Sequence, residues 1–186
     1  MLYLNEINGK KKLLLHCCCA PCSSYVFSYL KDKFDITAIF YNPNIMPKAE
    51  HDHRLSELKR LVKEMNLNIT IIEEYDDAFL QKTKGYEKEK ESGLRCDICY
   101  RIRLEKTARI AKELGFDCFT TTLSISPYKD ADKFNEIGKD LEKEYGIDYL
   151  YSNFKKNDGY KKSIELSRKH NLYRQNYCGC IFSTKN

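Results

Sequence analysis

Eight of the nine cysteines fall into three tight groups: Cys17, Cys18, Cys19 and Cys22; Cys96 and Cys99; Cys178 and Cys180. Thiolates are soft metal ligands and nucleophiles, so such crowding points to metal or redox chemistry. Neighbours on an extended chain face opposite ways, which prevents the first group from pairing within itself as disulfides. An odd total also argues against a closed disulfide framework. The ninth, Cys118, reads as a small buried hydrophobe. Cys96 and Cys99, three apart at a predicted helix start, can share one metal centre, with the helix amino end favouring their thiolates. Zinc completed by Cys178 and Cys180 is the rival. It leaves the first group unexplained, whereas iron–sulfur chemistry can draw thiolates from both a strand-end loop and a helix start. Cys178-Gly179-Cys180 suits a strained, reducible redox pair, with metal ligation as the alternative. His16 reads as a satisfied core residue, His51 and His53 as solvated, and His170 as part of a basic tail; none is assigned to metal.

Several elements must position these groups. Leu13–His16 predicts a buried strand delivering the first cysteines to its carboxyl end, with Ser23 or Ser24 capping a helix through Leu30. Further strands are expected at Asp35–Tyr41, Asn68–Glu73, Asp117–Leu123 and Asp148–Tyr151, and helices at Ala49–Met65, Asp97–Leu114, Lys133–Tyr145 and Gly159–Lys169. The charged segment Asp76–Gly93 is expected to bury little. Alternating strands and helices predict an α/β fold: one domain over 1–186, a mainly parallel, Rossmann-like sheet flanked by helices, and a cysteine-bearing C-terminal tail. In that class sites gather beyond the strand carboxyl ends, so Cys17–Cys22, Asn42–Pro47 and Ser124–Lys129 should rim one cavity.

The net charge of +5 is uneven: from Tyr151 onward eight Lys and Arg face two acidic residues, giving +6. This basic stretch suggests an anionic partner, and Tyr160, Tyr173 and Tyr177 lie among its cations, as RNA-stacking aromatics do. No apolar run approaches the roughly 20 residues that span a bilayer, and no secretory signal pattern opens the chain, so a cytoplasmic protein without membrane attachment is expected. Neither a P-loop nor a dinucleotide loop is present, which argues against nucleotide cofactors; an ATP-dependent tRNA thiolation enzyme would also need a Ser-Gly-Gly loop after the first strand.

The runs His16-Cys17-Cys18-Cys19-Ala20-Pro21-Cys22, Tyr41-Asn42-Pro43-Asn44-Ile45, Arg95-Cys96-Asp97-Ile98-Cys99-Tyr100, Thr121-Thr122-Leu123 with Ser126-Pro127-Tyr128-Lys129, and Leu172–Cys180 together resemble the cobalamin-independent epoxyqueuosine reductase family, QueH. The resemblance covers nearly the whole chain. It implies a HUP-like sheet and reduction of epoxyqueuosine to queuosine in the tRNA anticodon. It also implies a four-iron four-sulfur cluster on Cys18, Cys19, Cys96 and Cys99, a redox pair of Cys178 and Cys180, and a second, mononuclear iron on Cys22. Cys17 makes a triplet, so the register among Cys17, Cys18 and Cys19 stays open. Asp97, Tyr128 and Lys129 are candidate proton donors, and Tyr160, Lys161, Lys162, Tyr173 and Arg174 candidate tRNA contacts. The electron donor is not implied. A zinc-stabilised RNA-binding module without catalysis is the alternative.

Overall fold

Lys11–His16 is the first strand (β1) of the structure, a computed structural model that describes residues 2–7 and 9–183. Its three leucines, Leu13, Leu14 and Leu15, are wholly buried, because a central parallel strand is covered on both faces and reads as an unbroken apolar run. In chain order there follow α1 (Ala20–Leu30), β2 (Phe34–Tyr41), α2 (Lys48–Glu64), β3 (Thr70–Glu74), α3 (Ala78–Lys82), α4 (Leu94–Glu113), β4 (Cys118–Thr121), α5 (Ala131–Tyr145), β5 (Asp148–Tyr149) and α6 (Gly159–Lys169).

The strands pair in parallel in the order β3-β2-β1-β4-β5. The order reverses between β1 and β4, where His16 is level with Thr121. At such a switch point the loops leaving the two strands diverge to opposite faces and open a crevice. One face buries Leu13, Leu15 and Cys17 against Val26, Phe27, Leu58 and Leu61, with Leu172 joining from the tail. The other buries Leu14, Phe119 and Tyr149 beneath Leu104, Ala108, Ala111, Phe134 and Leu141 of α4 and α5. Cys118 is a fully buried filler, as expected.

The structure corrects several boundaries. Ser23 and Ser24 are not caps: α1 begins at Ala20 because Pro21, with its pre-set φ, occupies the first turn. Both hydroxyls instead bond backward to carbonyls, Ser23 to Cys19 at 2.8 Å and Ser24 to Pro21 at 2.8 Å. Cys22 is therefore a helix residue. The helix expected from Asp97 starts at Leu94 behind Gly93, which moves Cys96 inside its first turn. Strand β4 ends at Thr121, whose hydroxyl accepts from Leu123 N and winds Thr122–Ile125 into a 3-10 turn. Strand β5 stops at Tyr149. The segment after Asp76 does bury a large side chain, since Phe79 closes a small cluster with Cys99 and Cys180. His51 is buried rather than solvated; its ring lies edge-on between Phe40 and Tyr75, with centroids 5.0 and 4.5 Å away. The charged sequence around it hid that the helix turns this position inward.

Candidate metal and redox centre

Three sulfurs converge where β1 hands over to α1. The Sγ atoms of Cys18, Cys19 and Cys22 lie within 4.8 Å of one another, Cys18 and Cys19 being 3.7 Å apart. Cys17 is instead wholly buried in the core beneath α1 and α2, where its thiol donates to Leu15 O at 3.6 Å. Of the triplet, then, Cys18 and Cys19 reach the crevice. Thr122, on the turn after β4, ties the two loops together: Cys18 N donates to its Oγ1 at 3.3 Å, and that hydroxyl donates to Cys18 Sγ at 3.6 Å. The thiols of Cys19 and Cys22 donate toward Cys18 and hold it well below the usual thiol range. The same contacts push Cys19 up to about 12 and Cys22 well above its ordinary value. One negative charge shared by three convergent sulfurs is a donor set from which a thiophilic metal can displace protons.

Helix α4 brings the second group. Cys96, Cys99 and Arg103 stand at i, i+3 and i+7 on one helix face. Cys96 Sγ accepts Ser92 N at 3.3 Å. Cys99 is buried, which raises its thiol, while the Arg103 guanidinium pulls the other way. Among the described residues Cys96 and Cys99 do not join the three-sulfur group, nor do Cys178 and Cys180 build a four-sulfur tetrahedron with them. Two cations link the sets instead. Burial alone would lower Arg103, but Cys99, Tyr100, Cys18 and Cys178 outweigh it and keep its charge. Lys129 is held protonated in the same way against its burial by Tyr100, Cys178 and Cys18, and its Nζ lies 5.4 Å from the Tyr100 ring centre.

The third group arrives on the tail. Arg54, buried on α2, donates to Cys178 O at 3.2 Å and Tyr177 O at 3.3 Å while Glu50 anchors its Nε at 2.7 Å. Met46 N donates to Gly179 O at 2.9 Å, and Tyr177 Oη donates to Met46 O at 3.2 Å. Cys178 is lowered to about 4, first by the Cys180 thiol and, against burial, by the Ser183 hydroxyl 3.1 Å away. Cys180 is pushed far up by its charged neighbour. The tail thus presents a thiolate beside a thiol; all nine cysteines are free.

The remaining sequence candidates separate. Asp97 is engaged by Lys133 at 2.7 and 3.0 Å, and Tyr128 is 83% exposed, so Lys129 alone of the three candidate donors faces the sulfurs. Tyr173 is not free for RNA: its hydroxyl donates to Glu50 at 3.2 Å and its amide to Glu57 at 2.9 Å, pinning the tail to α2. Lys162 donates to Asn157 O at 3.1 Å, Arg174 to Ser167 at 3.2 Å, and Tyr160 and exposed Lys161 begin α6. His16 is a satisfied core residue: Thr121 Oγ1 donates to its Nδ1 at 2.9 Å and its Nε2 donates to Tyr41 O at 3.1 Å. Sequence reasoning missed Arg54 and Arg103. For Arg103 a signal existed, since it sits one turn beyond Cys99 on the cysteine-bearing face of α4. No helix among the described residues is long and apolar enough to cross a membrane.

The chain is 41% identical to the epoxyqueuosine reductase QueH of Streptococcus pyogenes serotype M1 over 95% of its own length and 71% of that protein's. Against the QueH of Staphylococcus epidermidis identity is 42%, covering 96% and 79%, and against that of Thermotoga maritima it is 35%, covering 92% and 89%. Among solved structures, the U34-tRNA thiolase NcsA of Methanococcus maripaludis, described with its four-iron four-sulfur cluster, superimposes with a TM-score of 0.58 at 15% identity; 98% of this chain covers 64% of that one, under two thirds. A predicted tRNA methyltransferase subunit from Methanocaldococcus jannaschii gives 0.55 at 15% identity, covering 84% and 74%. These two likenesses establish the fold, a parallel sheet of the HUP-like kind. The family model described as epoxyqueuosine reductase QueH matches residues 13–186, and the chain belongs to that family.

Proposed function

We propose that this chain reduces the epoxide of epoxyqueuosine in tRNA to give queuosine, and that it does so at the crevice between β1 and β4. The observation that carries the reading is the convergence of Cys18, Cys19 and Cys22 within 4.8 Å of one another beside a second thiolate–thiol pair on the docked tail.

An all-thiol donor set fits an iron–sulfur cluster. Cys18 and Cys19, with Cys96 and Cys99 from α4, would hold four iron and four sulfide ions, and Cys22 would serve a second iron. Bound there, the cluster supplies electrons one at a time. The chain itself supplies the pair. Removing the epoxide oxygen as water consumes two electrons and two protons and leaves a carbon–carbon double bond. Cys178 and Cys180 provide both electrons by passing from thiolate and thiol to disulfide; Cys180 gives up one proton and the Lys129 ammonium supplies the other. Two electrons and one proton from an external reductant then restore the thiolate–thiol pair, and solvent returns the proton to Lys129. Cys178 begins as the thiolate and Cys180 keeps its proton, so only one sulfur is poised to react first. Lys129 is placed to hold a proton toward the leaving oxygen, being kept charged by the sulfurs it faces. Arg54 orients the pair through two main-chain carbonyls. The anionic tRNA meets a chain of net charge +5.

The test is anaerobic incubation of iron-loaded protein with tRNA carrying epoxyqueuosine and a low-potential reductant, followed by mass spectrometry of the released nucleosides. Conversion to queuosine is expected; an iron-loaded protein that leaves the epoxide intact refutes the proposal. A protein with stoichiometric zinc and no iron would fit the non-catalytic RNA-binding alternative instead.

A further inference from the structure

One cleft adjoins the sulfur site and shares Lys129 and Tyr100 with it. It encloses about 350 Å³ at the amino end of α5 and is walled by Tyr100, Tyr128, Lys129, Asp130, Lys133 and Lys155. This is the lower range of small-ligand sites, roughly 300–1,000 Å³, and enough for a single nucleotide. Its wall carries three lysines, one of which, Lys133, is ion-paired with Asp97. The only carboxylate among these six residues, that of Asp130, accepts Asp132 N at 2.9 Å and caps α5. Lys155 is held across the cleft by donating to Lys129 O at 2.6 Å, and Lys133 is steadied by Asp97.

The rim carries an unusual side chain. Tyr128 is 83% exposed although it is a large aromatic, and what fixes its place is the backbone, with its amide donating to Ser126 Oγ at 3.3 Å. A solvent-facing ring among ammonium groups combines a stacking platform for an unpaired base with donors for its phosphate. The inner wall, Lys129 against Tyr100, is shared with the sulfur site. By contrast, the tail aromatic Tyr173 is already committed to Glu50 and Glu57.

We infer that this cleft takes a nucleotide of the single-stranded anticodon loop next to the one being reduced, with its base stacked on Tyr128 and its phosphate on Lys155. The inference rests on the proposed tRNA activity and names where the loop is gripped. It is tested by fluorescence anisotropy of a labelled RNA hairpin carrying an unmodified anticodon loop, alongside a blunt duplex of the same stem. Tyr128→Ala should weaken hairpin binding about 5- to 150-fold, as loss of one stacked base does, while Tyr128→Phe stays near wild type. Duplex binding should not change in either variant. Lys155→Met should reduce the steepness of the logarithmic salt dependence by about 0.7, one phosphate contact on a single strand. If Tyr128→Ala and Lys155→Met bind the hairpin as wild type does while the wild-type enzyme still converts epoxyqueuosine tRNA, the cleft assignment alone falls. If the wild-type protein neither binds the hairpin nor converts the tRNA, the cleft and the proposed function fall together.

Discussion

Gly179 sits between the two tail cysteines at φ +100°, a backbone conformation open to glycine but strained for any residue with a Cβ. An added Cβ would also come within 2.8 Å of Ile45 Cγ1 and 3.2 Å of Ile45 Cα. Ile45 is itself buried in the main core and cannot retreat. Gly179→Ala should therefore cost about 1–3 kcal/mol for the backbone and about 1–3 kcal/mol for overpacking. The contacts it opposes are the Met46–Gly179 bond, the two Arg54 bonds to Tyr177 and Cys178, and the Tyr177–Met46 bond. At about 0.5–1.5 kcal/mol net each, these four contribute about 2–6 kcal/mol, comparable with the penalty. The expected result is a tail that undocks in a large fraction of molecules while the sheet stays folded. Hydrogen exchange would show faster exchange at Met46 N, with amides of β1 and β4 still protected, and turnover should fall at least tenfold at unchanged iron content. A Gly179→Ala protein with wild-type protection at Met46 and wild-type turnover would refute the packing reasoning.

Four further outcomes follow from particular contacts. Cys178→Ser and Cys180→Ser should each keep their iron and lose turnover; loss of iron from either would make it a ligand instead. Cys18→Ser or Cys22→Ser should lower iron per chain, whereas Cys17→Ala, altered inside the core and outside the three-sulfur group, should keep it at a stability cost of about 1–2 kcal/mol seen in urea melts. Burial, aided by Arg103, lowers His16 to about 4. Between pH 6.5 and 4 the unfolded chain binds a proton that the folded one refuses, so lowering the pH through that window should remove about 3 kcal/mol of stability. An NMR titration of the imidazole with a midpoint near 6.5 would contradict this. Gly138→Ala would drive a Cβ to 2.5 Å from the buried Tyr149 ring and should lower Tm by about 2–10 °C in a calorimetric scan.

Much of this chain could be read without coordinates because its signals are local. The run Leu13–Leu15 is apolar on both sides, so it had to be a central strand, and the cysteines after it had to emerge at that strand's carboxyl end. The spacing of Cys96 and Cys99 placed them on one helix face for the same reason. Local signals misjudged boundaries where a single residue decides: Pro21 drew α1 forward over Cys22, and Gly93 did the same for α4. They failed for His51, Arg54 and Phe79, whose flanks are charged and whose burial depends on segments distant in sequence.

Sequence alone determined which residue types could do chemistry and which elements would carry them, since composition and periodicity are properties of a few neighbouring residues. Only the tertiary structure decided that Cys17 turns away while Cys18, Cys19 and Cys22 converge, that Arg103 and Lys129 sit among the sulfurs, and that Arg54 holds the tail in place. Those facts come from the order in which β1 and β4 meet and from contacts spanning more than a hundred residues, which no local pattern encodes.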